Sequence, residues 1–382
     1  MRVKGFSMMD RRHFSLAAGA AALGGFGIAR AQAETPIVLG QSAPFTGPAA
    51  QLGIQFYQGA KLYLDQYNAQ PGHREVVIKF LDDGYEPDRC AANTKQFIDD
   101  DVFSLFGYIG TPTSLAALPL AVDAKLPFIA PFTGAMALRD PFHRNVFHLR
   151  ASYNDETAVI VKQLTNLGLR KIAVFYQNDA YGKAGLDGVN LALAQLNLKP
   201  IALATVERNS VDVAAAVATI TAKGPDAVVQ VGAYKACAAF IRAARKEGYG
   251  GTFFNVSFVG TQALADELGK DGAGVVVTQV VPSPYSPANA ITREFVEAAS
   301  KTDGATKANY SSMEGYLAAK VLVEGLRRAP SGKVSRDGFI AGLESIDRQQ
   351  FGGFEVSFSP RNHVASKFVE LSMITGDGRV RT

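Results

Sequence analysis

Two spacings of apolar residues alternate along this chain. Short continuous apolar runs, such as Ala227–Val231 and the stretch around Val174, are separated by longer segments in which apolar residues recur every third or fourth position. The first spacing marks a strand buried on both faces, the second a helix with one apolar face. In chain order, strands are predicted at 36–40, 75–81, 102–110, 126–130 and 146–150. Helices fall at 50–68, where Leu52, Phe56, Ala60 and Leu64 share a face, at 87–100, and from 111 onward.

The pattern then begins again. Helices at 154–167, 182–196, 211–223 and 234–247 alternate with strands at 171–176, 201–206, 226–231, 252–256 and 275–281. The run Pro282-Ser283-Pro284-Tyr285-Ser286-Pro287 breaks it and is expected to be a crossing linker. Helices at 291–299, 311–328 and 336–343 follow, and the chain closes on strands near 353–358 and 368–375. Repeated strand–helix units imply mostly parallel sheets flanked by helices, an α/β fold. Two such series imply two lobes, and the late helices and strands imply that each lobe takes back part of the chain's end. The expected division is 34–150 plus 283–346 for lobe 1 and 151–282 plus 347–382 for lobe 2. Several crossings make a hinge, and the cleft between the lobes is the expected place for a small molecule.

The first residues follow neither spacing. Arg2, Lys4, Arg11 and Arg12 precede a weakly apolar stretch, Phe14–Ile28, and then Ala31-Gln32-Ala33. That is the form of a signal peptide, 1–33, cleaved after Ala33, which places the mature chain in the periplasm. The Arg11-Arg12 pair points to twin-arginine export, with a Sec signal as the alternative. This removes the apparent basic character. The chain has 39 basic and 35 acidic residues, of which the leader holds five and one, leaving 34 of each. A formally neutral mature chain gives no support to nucleic-acid binding. Cys90 and Cys237 are the only cysteines and fall in different predicted lobes, so two buried thiols are expected rather than a disulfide. The five histidines show no metal-ligand spacing, and the mature chain carries no nucleophile elbow, phosphate loop or dinucleotide fingerprint. No cofactor, metal or catalytic group is expected.

One stretch stands out. In Leu105–Pro119 an apolar strand breaks at Gly110 and runs through Thr111-Pro112-Thr113-Ser114 into an Ala/Leu-rich helix. With Thr111 as N-cap and Pro112 as the first helical residue, the N–H groups and hydroxyls of Thr113 and Ser114 face the space beyond the strand's carboxyl end. Such a helix start attracts anions, and ligands of open α/β sheets sit at that edge. An ordinary capped helix facing water would have the same sequence.

The ordered series PIVLGQSAPFTGPAAQLG, VIKFLDDGYEPDR, LFGYIGTPTSLAALP, LPFIAPFTGA, KIAVFYQNDAYGKAG, DAVVQVGAYKACAAFIRAAR and FNVSFVG resembles the solute-binding proteins of ABC importers, in the Leu/Ile/Val-binding class. The resemblance covers nearly all of the mature chain. It implies a two-lobed Venus flytrap without catalysis, a small-molecule ligand and an inner-membrane permease as partner; a monomer is the default expectation. By position it implies a first-lobe ligand contact at Thr111, a second at Phe132, Thr133 and Gly134, and an apolar contact at Leu52. Gly134 stands where the amino-acid binders have threonine. In the second lobe it implies contacts at Tyr181, Tyr234 and Ser257.

Ser257 is the departure. Amino-acid binders of this class carry a glutamate there for the ligand's ammonium group. Its loss implies another acceptor, among Asp82, Asp83, Asp179 and Glu314, or a ligand without an ammonium at that place. Each contact also has a plainer reading: Tyr181 and Tyr234 as packing at helix starts, Phe132 as core, Asp82-Asp83-Gly84 as a turn. All of them, however, fall at carboxyl ends of predicted strands. The expected function is thus a periplasmic receptor for an amino acid or a related carboxylate or amide. The competing readings are a ligand sensor for a regulatory partner and a hydrolase.

Overall fold

The computed structural model describes residues 35–302, 304–330 and 334–382; the expected leader, 1–33, lies outside the described residues. The first series is β1 (Ile37–Ala43), α1 (Ala50–Asn68), β2 (Val76–Asp82), α2 (Pro87–Asp99), β3 (Ser104–Phe106), α3 (Thr111–Asp123), β4 (Phe128–Ile129) and β5 (Val146–Phe147). Its strands form a parallel sheet in the order β2-β1-β3-β4-β5. The second series is α4 (Tyr153–Asn166), β6 (Ile172–Gln177), α5 (Ala180–Ala194), β7 (Ala202–Val206), α6 (Ala214–Thr221), β8 (Ala227–Val231), α7 (Tyr234–Lys246), β9 (Thr252–Asn255), α8 (Thr261–Leu268) and β10 (Val276–Gln279). The chain ends with α9 (Ala290–Ser300), α10 (Tyr310–Arg328), α11 (Arg336–Glu344), β11 (Gln349–Gln350), β12 (Glu355–Val356), β13 (Glu370–Ile374) and β14 (Val380–Arg381).

The second sheet has the order β14-β13-β10-β9-β8-β6-β7, parallel from β10 to β7 and antiparallel at β13 and β14. Two lobes result, each a largely parallel sheet flanked by helices. Inner strands are buried on both faces, as in β8, where all five residues are buried, whereas the edge strand β7 alternates between buried or half-buried and exposed positions. The late helices return to the first sheet. α10 lies against α1 so closely that a Cβ on Gly315 would stand 2.0 Å from the Phe56 carbonyl oxygen, and one on Gly59 1.8 Å from that of Ser312. Only glycine allows backbones that close. The last long strand, β13, pairs with β10 of the second sheet, so the chain crosses between the lobes more than once.

Several expectations need correction. The strand expected over 102–110 is only Ser104–Phe106, because Gly107 adopts φ 60; the path regains a bridge at Ile109 with Phe132. The helix α8 was not anticipated. It has eight residues and no side-chain cap, and it starts from Gly260 in the left-handed region, so it carries no start signal. The short strands β11 and β14 were also missed, and the strand expected near 353–358 is only Glu355–Val356, paired with β11 in a separate hairpin. Cys90 and Cys237 are both free and buried, on α2 and α7. Among the described residues no helix is long and apolar enough to cross a membrane.

Candidate functional site

The helix start singled out in the sequence sits one residue earlier than expected. Gly110, at φ 99, is the N-cap of α3, and Thr111 and Pro112 are its first helical residues. A Cβ on Gly110 would stand 2.2 Å from the Tyr85 ring. The Ser114 N–H is not free either, since it donates to the Gly110 carbonyl at 3.1 Å. The Thr113 hydroxyl turns back onto the Ile109 and Gly110 carbonyls, so it does not face the cleft as expected. Ser114 is fully buried, and its Oγ has no hydrogen-bond partner.

Thr111 behaves differently. Its Oγ1 lies 2.6 Å from Oγ1 of Thr133, which also accepts the Ala135 N–H at 3.2 Å. The two hydroxyls therefore join the start of α3 to the loop after β4. Arg139 holds that loop, donating to the carbonyls of Ala135 (2.8 Å) and Arg150 (3.1 Å). Gly134 lies under Tyr153, whose N–H donates to its carbonyl at 2.8 Å. A threonine side chain here would start 2.6 Å from that nitrogen. The glycine thus makes room for Tyr153, whose hydroxyl burial pushes up to about 12.

The loops of the two lobes meet above this floor. Tyr85 adopts φ 65 and is held by an Asx turn, its N–H donating to Asp83 Oδ1 at 2.8 Å. Its hydroxyl reaches the second lobe and accepts from Gln177 Nε2 at 3.2 Å. Phe132 faces Phe258 with ring centroids 5.8 Å apart, and Phe258 packs on Tyr181 at 4.5 Å. Tyr181 opens α5, where Asp179 caps the helix through the N–H groups of Tyr181 and Gly182; Asp179 is thereby a cap, not a free acceptor. Leu52, in the first turn of α1, reaches across the cleft to Gly260, the helix-capping residue after Ser257. Tyr234 opens α7 of the second lobe and is buried, which pushes its hydroxyl up.

The charges at the centre come mainly from residues the sequence did not single out. Arg150, 1% exposed, donates through Nε and Nη2 to the two oxygens of Glu314, at 2.8 and 2.7 Å. Its guanidinium stacks 3.8 Å above the Phe132 ring, and its Nη1 donates to Ser257 Oγ at 3.2 Å. Burial alone would lower the arginine's pKa, but the Glu314 carboxylate outweighs it and the guanidinium is held charged. Ser257 continues the chain of contacts. Its N–H and Oγ donate to Glu156 at 2.7 and 3.1 Å, and the Thr278 hydroxyl donates to the same carboxylate. Glu156 is sealed from water, and burial raises its carboxyl despite these bonds. Glutamates 156 and 314 thus flank the serine at 257. Arg150 had one signal in the sequence: a charge closing the apolar run 146–149 just before the chain leaves the first sheet.

A rim contact completes the arrangement. On the second lobe, Arg208 donates to Glu86 at 2.9 Å, and Asn209 Nδ2 donates to Glu86 at 2.8 Å and to the Gly84 carbonyl at 3.0 Å. Among the described residues no cluster of His, Cys, Asp and Glu is arranged to hold a metal ion.

Two α/β lobes whose strand-end loops converge on a buried polar centre define a two-lobed ligand-binding protein. The chain belongs to the periplasmic binding protein family, whose model matches residues 36–378. It is similar to a Leu/Ile/Val-binding protein homologue of Brucella melitensis, 26% identical over 320 residues covering 78% of each chain. An amino acid binding protein of Pseudomonas aeruginosa is 24% identical over 290 residues, 74% of this chain and 78% of that protein. Among solved structures, a possible leucine/isoleucine/valine-binding protein from Rhodopirellula baltica superposes with a TM-score of 0.86 at 34% identity, covering 91% of this chain and 97% of that one. All three are named as binding proteins for amino acids, the last as a possible one.

Proposed function

We propose that this chain is the periplasmic receptor of an ABC importer, taking an amino acid or a related small carboxylate or amide into the cleft between its lobes. The observation that carries this reading is the convergence at the cleft. Thr111, Phe132 and Thr133 from one lobe meet Tyr181, Ser257 and Phe258 from the other, around the Arg150–Glu314 pair. Ligand sites combine apolar walls with a few buried polar groups of fixed direction, and this one has both. The names of the relatives support an amino-acid-like solute. Ser257 sets a limit on that analogy, because both neighbouring carboxylates are already hydrogen-bonded, Glu314 to Arg150 and Glu156 to Ser257 and Thr278. Gly134 and Tyr234 belong to the same site as backbone floor and second-lobe contact. The hinge crossings near 150 and 282 are part of the reading, with the third after Ala365, whose N–H still donates to the His148 carbonyl, rather than near 346; so is a monomeric receptor that meets its permease when closed.

A transport receptor must also release, so affinity is expected near micromolar, about −8 kcal/mol. The test is a thermal-shift screen of the ligand-stripped mature chain against amino acids, their ω-amino and deaminated analogues, and aromatic acids. A solute at ~100 times its Kd stabilises by about 2.7 kcal/mol, a readable shift. Response to at least one member is expected. Silence across the panel contradicts the reading.

A further inference from the structure

A second space borders the cleft loops. A cavity of about 500 Å3 lies between α3 of the first lobe and α5 of the second. Its inner wall is built from neighbours of the cleft loops. Thr111 itself lines it, Ala135 follows Gly134, Asn154 follows Tyr153, and Ala180 precedes Tyr181. The cavity thus shares Thr111 with the proposed site and is otherwise lined, at this end, by chain neighbours of site residues.

Its chemistry changes along its length. The inner end offers the Thr111 hydroxyl and the Asn154 amide, while the middle and outer parts are lined by Leu115, Ala184, Met136 and Leu191. On α5, positions 180, 184, 187 and 191 follow helical spacing and form one stripe facing α3. Met136 and Leu191 are 41% and 52% exposed, so large apolar side chains border this space at its mouth. Lys183 and Asp187 stand beside them. The volume lies within the about 300–1,000 Å3 of small-molecule pockets.

We infer that this slot receives the apolar tail of the transported solute, whose polar head lies in the cleft. The solute class is then a small carboxylate or amino acid extended by an unbranched acyl or arylalkyl chain, rather than one as compact as valine. The inference rests on the cleft reading, and adds that α3 and α5, one from each lobe, are drawn together over the tail.

The test is titration of the mature chain with two homologous series: the straight-chain carboxylates from acetate to decanoate, and the straight-chain α-amino acids from alanine to 2-aminooctanoate. In the series whose head fits, affinity should rise roughly fourfold per methylene until the slot is filled. Ala184→Trp, which fills the slot, should bring the longest member down to the level of short ones. Leu191→Ala, a milder change on the exposed rim, should weaken only the longest members. Binding of short members with no gain along the series overturns the inference and leaves the cleft reading standing. Long-chain affinities unchanged in both variants overturn it as well. Silence from both series overturns the inference, and the cleft reading falls with it only if the wider thermal-shift panel is silent as well.

Discussion

Arg150 and Glu314 stand 164 positions apart in sequence yet face each other in a two-pronged ion pair, sealed between the lobes and braced on the Phe132 ring. Burying two charges is costly, and the pair recovers that cost only while both members are present. Glu314→Ala leaves a buried guanidinium without its carboxylate and should cost about 3–5 kcal/mol in denaturant unfolding. The double variant Arg150→Met/Glu314→Leu should be less destabilised than Glu314→Ala alone. A larger loss in the double variant would contradict this account of the pair.

Stability should fall with rising pH on account of Asp83. Burial pushes this carboxyl up to about 6, against the bonds from Ser42 and Tyr85 that favour its charge. A folded-state pKa above the ordinary carboxylate value means that the native state holds the proton longer than the unfolded chain. The stability from this group is therefore full below the ordinary value, and is lost as pH rises through about 6. Its neighbour Asp82 is opposite: despite the opposing desolvation, bonds from Thr46, Phe45, Gly84 and Arg89 bring it to about 2, so its contribution vanishes as pH falls through that value. Unfolding free energies measured from pH 4 to 7 should show a decline that Asp83→Asn flattens. An unchanged slope in the variant would refute the assignment.

The rim contact should set how readily the lobes stay together. Arg208 and Glu86 are partly exposed, so their pair is worth little, about 0.2–1 kcal/mol. Arg208→Ala should weaken solute binding by about 1.4- to 5-fold, an effect that shrinks at high salt as screening takes over. Calorimetric Kd values at low and high salt check this. A loss independent of salt would point to packing instead.

Gly110 tests the local geometry. At φ 99, with Tyr85 only 2.2 Å from the site of a Cβ, Gly110→Ala combines backbone strain with a clash. The backbone part alone is of order 1–3 kcal/mol. A drop in melting temperature is expected together with loss of solute affinity, because Tyr85 carries the contact to Gln177. A variant as stable as the parent would show that the loop can relax.

Much of this architecture is legible in the chain because the apolar periods are clean. The helix 50–68 has the expected bounds, and the strands around Val174 and Val229 pair with each other inside the second sheet. What escaped had physical reasons. Residues 261–268 make less than three turns and lack a capping side chain, so their period is too short to see. The strand toward Gly110 is cut by a left-handed glycine whose φ no hydrophobic pattern records. In the site, Thr111, Phe132 and Ser257 were visible as strand-end residues. Arg150 was not, since the approach of two lobes brings it to Ser257, and Glu156 was not, since it meets Ser257 and Thr278 within the second lobe from more than 100 positions away rather than by any local spacing. Thr113 misled because a hydroxyl near a helix start can turn inward as easily as outward.

The central claim is that solute binds between the lobes. The most direct measurement is the Kd of the solute giving the largest melting shift, determined by calorimetry for the parent, Thr111→Val and Ser257→Ala. These two substitutions take one hydroxyl from each wall of the cleft. The account predicts one site per chain and a loss of about 2- to 12-fold in each variant, the range for a hydrogen bond worth about 0.5–1.5 kcal/mol. Parental affinity in both variants would place the solute elsewhere.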